Sequence, residues 1–183
     1  MSSMDRDALV ALFRSTGGAG WKRRNNWDTD ANLAAWFGVI VNDKGRVVEL
    51  TLRENNLQGS IPQEIWDLAD LKELRLYKNN LTGHIPPELG NLAALEELSL
   101  WSNQLSGPIP SQLGNLSALE SLNFSANKLN GPIPKQVGAL TKLKTLWLQD
   151  NMLDGPIPPD LGSLKALIHL DLSANHLSGE SIA

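Results

Sequence analysis

The sequence predicts an α/β solenoid: a right-handed superhelix whose short strands line up as a parallel sheet on a concave face, with a helical and hairpin cap at its N-terminal end. Three observations lead there. Residues 71–94, 95–118, 119–142 and 143–166 align without a gap, at a period of 24 residues, and a period of that length marks units that stack on one another rather than fold alone. Each copy opens on spaced leucines, as in Leu71-Lys72-Glu73-Leu74-Arg75-Leu76, so one side of a strand is apolar and the other polar. Residues 1–46 fall outside the period and carry helix and turn signals of their own.

In chain order, the cap over residues 1–46 comes first. Ser3 or Asp5 is placed to cap a helix carrying Leu9, Leu12 and Phe13 on one side and ending at Gly17 and Gly18. Residues 36–50, WFGVIVNDKGRVVEL, read as strand, turn at Asn42 to Gly45, and strand. Trp21, Trp27 and Trp36 are expected in the core of this cap rather than at a ligand site.

The repeats occupy residues 47–183: an irregular first copy at 47–70, the four regular ones, and a truncated sixth at 167–183. After each strand stands an asparagine (Asn55, Asn79, Asn103, Asn127, Asn151, Asn175), whose amide can satisfy backbone groups as the chain turns. A glycine column from Gly59 to Gly179 permits a bend. The proline after each isoleucine (Pro62, Pro86, Pro110, Pro134, Pro158) favours an extended segment whose isoleucine faces inward. Trp66 stands where the next four copies have Gly90, Gly114, Gly138 and Gly162, and is expected beneath the cap helix. The last copy ends in SGESIA, so Leu167, Leu170, Leu172 and Leu177 are expected to lie uncovered. Further repeats, or a second copy of the chain, are expected against them.

The pattern L-x-x-L-x-L-x-x-N-x-L-x-G-x-I-P-x-x-L-G-x-L-x-x resembles the leucine-rich repeat family in its plant-type form, over roughly three quarters of the chain. Trp36 to Val39 also resembles the W-x-G-V stretch in the N-terminal cap of plant-type leucine-rich repeat receptors. That family usually has a cysteine pair flanking the stretch. Ala34 and Val41 occupy the matching positions here, so packing is expected in place of a disulfide. The opening DRDALVALFRSTGGAGW is similar to cysteine-free caps of brown-algal and other stramenopile leucine-rich repeat proteins, some of which carry a Roc-COR GTPase module.

Composition narrows the function. A chain of 183 residues, 42% hydrophobic, suits one domain with a sizeable core. A net charge of -4 and a pI near 5.3 provide no general basic surface, so neither nucleic acid nor anionic lipid is expected as a partner. No apolar run reaches the length of a membrane span. There is no cysteine, and MSSMDRDALVALFRSTGG lacks the apolar stretch of a secretory signal. The compartment is therefore read as cytoplasmic, with a secreted or extracellular protein as the alternative. Glycosylation at the sequons of Asn80, Asn115 or Asn123 would favour that alternative.

No residue set specifies catalysis, and no cofactor or metal is expected. His169, Asp171 and Ser173 alternate along one strand, but Ser173 and His169 are about 13 Å apart at roughly 3.3 Å per residue, too far for a nucleophile and its base. Glu49, Glu73 and Glu97 stack their carboxylates on adjacent strands, a possible cation site; Arg53 and Arg75 beside them read more simply as a mixed-charge surface. His84, His169 and His176 fall at different repeat positions. Function is expected instead where the repeat makes no demand, on the outward strand positions. There Tyr77 and Trp101 are neighbours, Arg53 lies beyond Tyr77, and Trp147 stands across a small polar floor of Asn123 and Ser125. Arg53, Arg75, Tyr77, Trp101, Asn123 and Trp147 are the expected contacts for a protein or peptide ligand, aromatics with arginine being the usual composition of a binding anchor. The alternatives are that Tyr77 and Trp101 merely stack on each other, and that the ligand is a glycan or small peptide recognised outside the cell.

Overall fold

The computed structural model describes residues 3–179. Helix α1 (Ser3–Ser15) buries Ala8, Leu9 and Leu12 and half-buries Phe13, one apolar stripe at helical spacing. The chain leaves the helix through Thr16, whose hydroxyl donates to the Leu12 carbonyl, and through Gly17, whose φ of 67° disfavours a side chain. Asp5 does not start the helix. It lies inside α1 with its carboxylate buried, and accepts from Arg46 Nε at 3.0 Å and from the Val47 amide at 2.8 Å. A buried carboxylate needs such donors, and these tie α1 to the first repeat.

The strand expected from Trp36 begins later. Trp36 follows a 3-10 turn at Leu33–Ala35 and its indole is buried. β1 (Val39–Val41) then runs antiparallel to β2 (Val47–Thr51). Trp27 meets Trp21 at 4.8 Å and Trp36 at 5.0 Å between ring centroids, and all three indoles are buried. The packing expected at the cysteine-equivalent positions is displaced: Ala34 is exposed and Val41 half-buried, while the neighbouring Leu33 and Trp36 are buried.

Further along the chain come β3 (Gln58–Ser60), β4 (Glu73–Arg75), β5 (Asn80–Thr82), β6 (Glu97–Ser99), β7 (Ser106–Pro108), β8 (Ser121–Asn123), β9 (Lys128–Pro132), β10 (Thr145–Trp147), β11 (Met152–Pro156), β12 (His169–Asp171) and β13 (His176–Ser178). The long sheet has the order β1-β2-β4-β6-β8-β10-β12, parallel from β2 onward, with each residue paired to the one 24 positions on. Its inner leucines, among them Leu50, Leu74, Leu98, Leu122 and Leu146, are all 0% exposed. That apolar column, together with others filled by each repeat such as those of Leu76, Leu81, Leu89 and Leu92, makes the core of a leucine-rich solenoid.

A second set of strands, absent from the sequence reading, forms where only a bend was expected. β3 pairs with β5, and β7, β9, β11 and β13 pair in parallel, through residues that include the glycine column. The isoleucines after them face inward at Ile85, Ile109 and Ile133, as expected, but Ile157 is 51% exposed. A 3-10 turn closes each copy, as at Pro87–Asn91 and Ser111–Asn115. At Gly90 a Cβ would fall 2.8 Å from the Gln112 carbonyl oxygen of the next turn, and Gly114 and Gly138 meet the turn after them in the same way, whereas Gly162 faces open space. Trp66, at the same column in the first repeat, is fully buried in the turn Gln63–Asp67, against which α1 packs.

The asparagines join the copies. Asn79 Oδ1 accepts from the amides of Asn55 and Leu57 in the preceding repeat, and its Nδ2 donates to the carbonyls of Leu52 and Leu76. Asn103, Asn127, Asn151 and Asn175 repeat the arrangement on Leu81, Leu105, Leu129 and Leu153. Asn55 reaches instead to the amide and carbonyl of Arg23. Leu170 is 47% exposed, and Leu167, Leu172 and Leu177 are half-buried; the segment after Gly179, on which the expectation of an uncovered end partly rests, lies outside the described residues.

Candidate functional site

Because inner positions of the long sheet are filled by leucine, its outward positions are free to vary, and the parallel register sets them in three columns. The first is Glu49, Glu73, Glu97, Ser121, Thr145, His169; the second is Thr51, Arg75, Ser99, Asn123, Trp147, Asp171. The third lies just past the strands, at Arg53, Tyr77, Trp101, Ser125, Gln149 and Ser173, where backbone bonds such as Lys78 N–H to Trp101 O and Ala126 N–H to Gln149 O continue the ladder.

Tyr77 and Trp101 stack, with ring centroids 4.9 Å apart and planes 13° from parallel. Arg53 Nη1 donates to the Tyr77 hydroxyl at 2.9 Å, and Lys78 Nζ lies 5.2 Å from the Trp101 ring centroid. Both rings are only half-buried and neither belongs to the leucine core. Arg53 is therefore not part of the glutamate column, beside which it was expected. Among the described residues, Arg75 alone serves that column: it pairs with Glu73 on its own strand and with Glu97 across the ladder, its Nε donating to Glu97 Oε1 at 2.7 Å. Those carboxylates raise the Arg75 pKa, first through the Glu97 hydrogen bond, so two of the three carboxylates are held by a fixed cation.

On the C-terminal half, Trp147 stacks on His169 at 5.8 Å and 18°. The sequence offers His169 as a base or a metal ligand, and the aromatic neighbour one strand away is the signal available for this contact. Asn123 Oδ1 accepts from the Ser125 amide and hydroxyl, so this predicted contact is partly turned onto its own strand. Ser173 binds Asp171 in the same way and lowers its pKa, through the hydroxyl first and the amide second. Asp171 and Ser173 thus bond to each other, while His169 stacks on Trp147. Trp66 is buried beneath the cap helix and contributes nothing to this face. Among the described residues no group of three or more His, Cys, Asp or Glu could hold a metal ion, and no helix is long and apolar enough to cross a membrane. What the face offers is stacking surface with donors and acceptors beside it.

Residues 45–183 match the family described as a leucine-rich repeat region. The chain belongs to the leucine-rich repeat proteins. Solved structures place this leucine-rich repeat protein in the plant-type group. It superposes on the BIR2 ectodomain from Arabidopsis thaliana with a TM-score of 0.85 and 33% identity, over 98% of this chain and 96% of that one. The Arabidopsis receptor kinase HAESA, in complex with the peptide hormone IDA and the co-receptor SERK1, gives 0.87 and 31%, over 96% of this chain and 30% of that one. A plant ice-binding protein gives 0.89 and 33%, over 96% of this chain and 57% of that one. The chain thus spans less than a third of the length of HAESA and little more than half of the ice-binding protein. No curated protein matches it.

Proposed function

We propose that this protein is a non-enzymatic recognition module that binds an extended peptide, or a peptide segment of a protein, across the outward face of its long sheet. The observation that carries the reading is the outward Tyr77–Trp101 stack, tethered by Arg53 and lying outside the core. A stacked aromatic pair with an adjacent guanidinium is costly to leave facing water and typical of a binding anchor. Arg53, Tyr77, Trp101, Asn123 and Trp147 are the contacts, and Arg75 acts as a brace between Glu73 and Glu97. In this reading the solenoid is right-handed with this face concave, and residues 1–46 cover its N-terminal end; the cysteine-free opening keeps its resemblance to algal caps, with or without a GTPase module elsewhere.

The working site is extracellular rather than cytoplasmic. The support is likeness to receptor ectodomains, one of them solved with a peptide hormone. The open apolar surface at Ile168 and Leu170 serves contact with a second copy. Trp101→Ala should weaken a peptide ligand by about 2–4 kcal/mol while the melting temperature stays unchanged, measured by calorimetric titration and thermal unfolding. A variant that melts early would make the stack structural and sink the reading. Mass spectrometry of the protein from its source, finding a glycan at Asn80, Asn115 or Asn123, would support the extracellular site.

A further inference from the structure

The two aromatic pairs face each other across a gap. In each, one ring face is covered by its stacking partner: Trp101 by Tyr77 on the N-terminal side, Trp147 by His169 on the C-terminal side. The uncovered faces therefore look over the strand between them, β8, whose outward residues are the short Asn123 and Ser125. Beside Trp147, two residues on along the same strand, Gln149 keeps its Oε1 screened from solvent with no hydrogen-bond partner among the described residues. A buried amide oxygen without a donor is unfavourable, and rotation of the half-buried Gln149 side chain toward the face would bring that oxygen to a ligand donor that relieves it.

The charge at this end of the face has one sign. Asp171 lies directly across from Trp147, and Asp150 follows Gln149 with its side chain exposed. The outward columns of β8, β10 and β12 and of the residues just past them contain no lysine or arginine, among the described residues. A tryptophan face, an unpaired acceptor and two carboxylates without a cation partner together suit a planar cation with several donors. Arginine meets that description better than lysine, because its guanidinium stacks flat on an indole while donating at its edge.

Resting on the reading of this face as a peptide site, we propose that the slot over β8 takes an arginine side chain of the ligand, with its guanidinium on Trp147 and a donor to Gln149 Oε1. The six strands from β2 to β12 span about 24 Å at roughly 4.8 Å each, about seven residues of extended chain.

The test is selection of binders from a random library of peptides of about ten residues, enough to cross the face, on the immobilised protein. Arginine should be enriched at one position. Citrulline there, keeping shape but not charge, should weaken binding on the order of tenfold, and so should Trp147→Ala with its melting temperature retained. Replacing the arginine by lysine should also weaken it. Binders that depend on Trp101 but show no arginine preference would overturn the slot and leave the peptide-binding face standing. Binders indifferent to both Trp101→Ala and Trp147→Ala, or no binders at all, would overturn both.

Discussion

Asp5 shows how a single side chain can take a role its local sequence does not announce. Position and residue type suggested a helix cap; the structure spends the carboxylate on Arg46 and the Val47 amide, 41 and 42 residues away. Nothing local distinguishes these uses, because both need only an acid near a helix start. Asp5→Ala should destabilise the protein by about 3–5 kcal/mol, since it leaves a guanidinium and a buried amide without their partner; urea unfolding measures this. Ala126 is the converse case. It is exposed and held at φ 51°, in a column where every residue from Glu54 to Ala174 has positive φ. Alanine gains nothing from the left-handed region, whereas asparagine tolerates it. Ala126→Asn should therefore stabilise by about 0.5 kcal/mol in the same assay. The outward place of Trp101 was legible because it departs from the repeat. The stack of His169 on Trp147 was not, because it depends on a ring in the neighbouring strand.

At the scale of elements, the long sheet could be read directly from alternating leucines, while the second set of strands could not. Glycine and proline are depleted in strands by intrinsic preference, and Gly107, Gly131 and Gly155 sit inside strands of that composition because the corresponding strand of a neighbouring copy lies alongside to accept and donate. Cross-strand ion pairs follow the same repeat spacing: Glu54 with Lys78 and Glu120 with Lys144, each 24 residues apart. In both pairs the lysine hydrogen bond lowers the glutamate pKa from 4.5. A depressed carboxylate pKa gives stability that is present above the unfolded value and lost as pH falls through the folded one. The melting temperature should thus drop below pH 4.5, and Glu54→Gln with Glu120→Gln should flatten that drop. Thermal scans from neutral to acidic pH check it, and added salt should shrink the effect, since both pairs are exposed.

For the whole molecule, period and core were legible because each copy restates them, and what escaped the sequence lies where one copy meets the next. Asn103 is the clearest instance: Asn103→Ala would strand the Leu81 amide and leave the carbonyls of Leu76 and Leu100 with one side-chain donor each, from Asn79 and Asn127, and should cost about 1–3 kcal/mol in urea unfolding. The asparagine bonds also have a direction, since each amide closes the turn of the copy before it and none closes the turn of the copy after it. Loss of order in a C-terminal repeat therefore strips the turn of its N-terminal neighbour of these side-chain bonds, and fraying from that end passes along the stack copy by copy. Amide hydrogen exchange should record this as a gradient, with Leu153 exchanging sooner than Leu129, and Leu129 sooner than Leu105. A disturbance at the C-terminal copies would then reach the Trp147 slot before it reaches Tyr77.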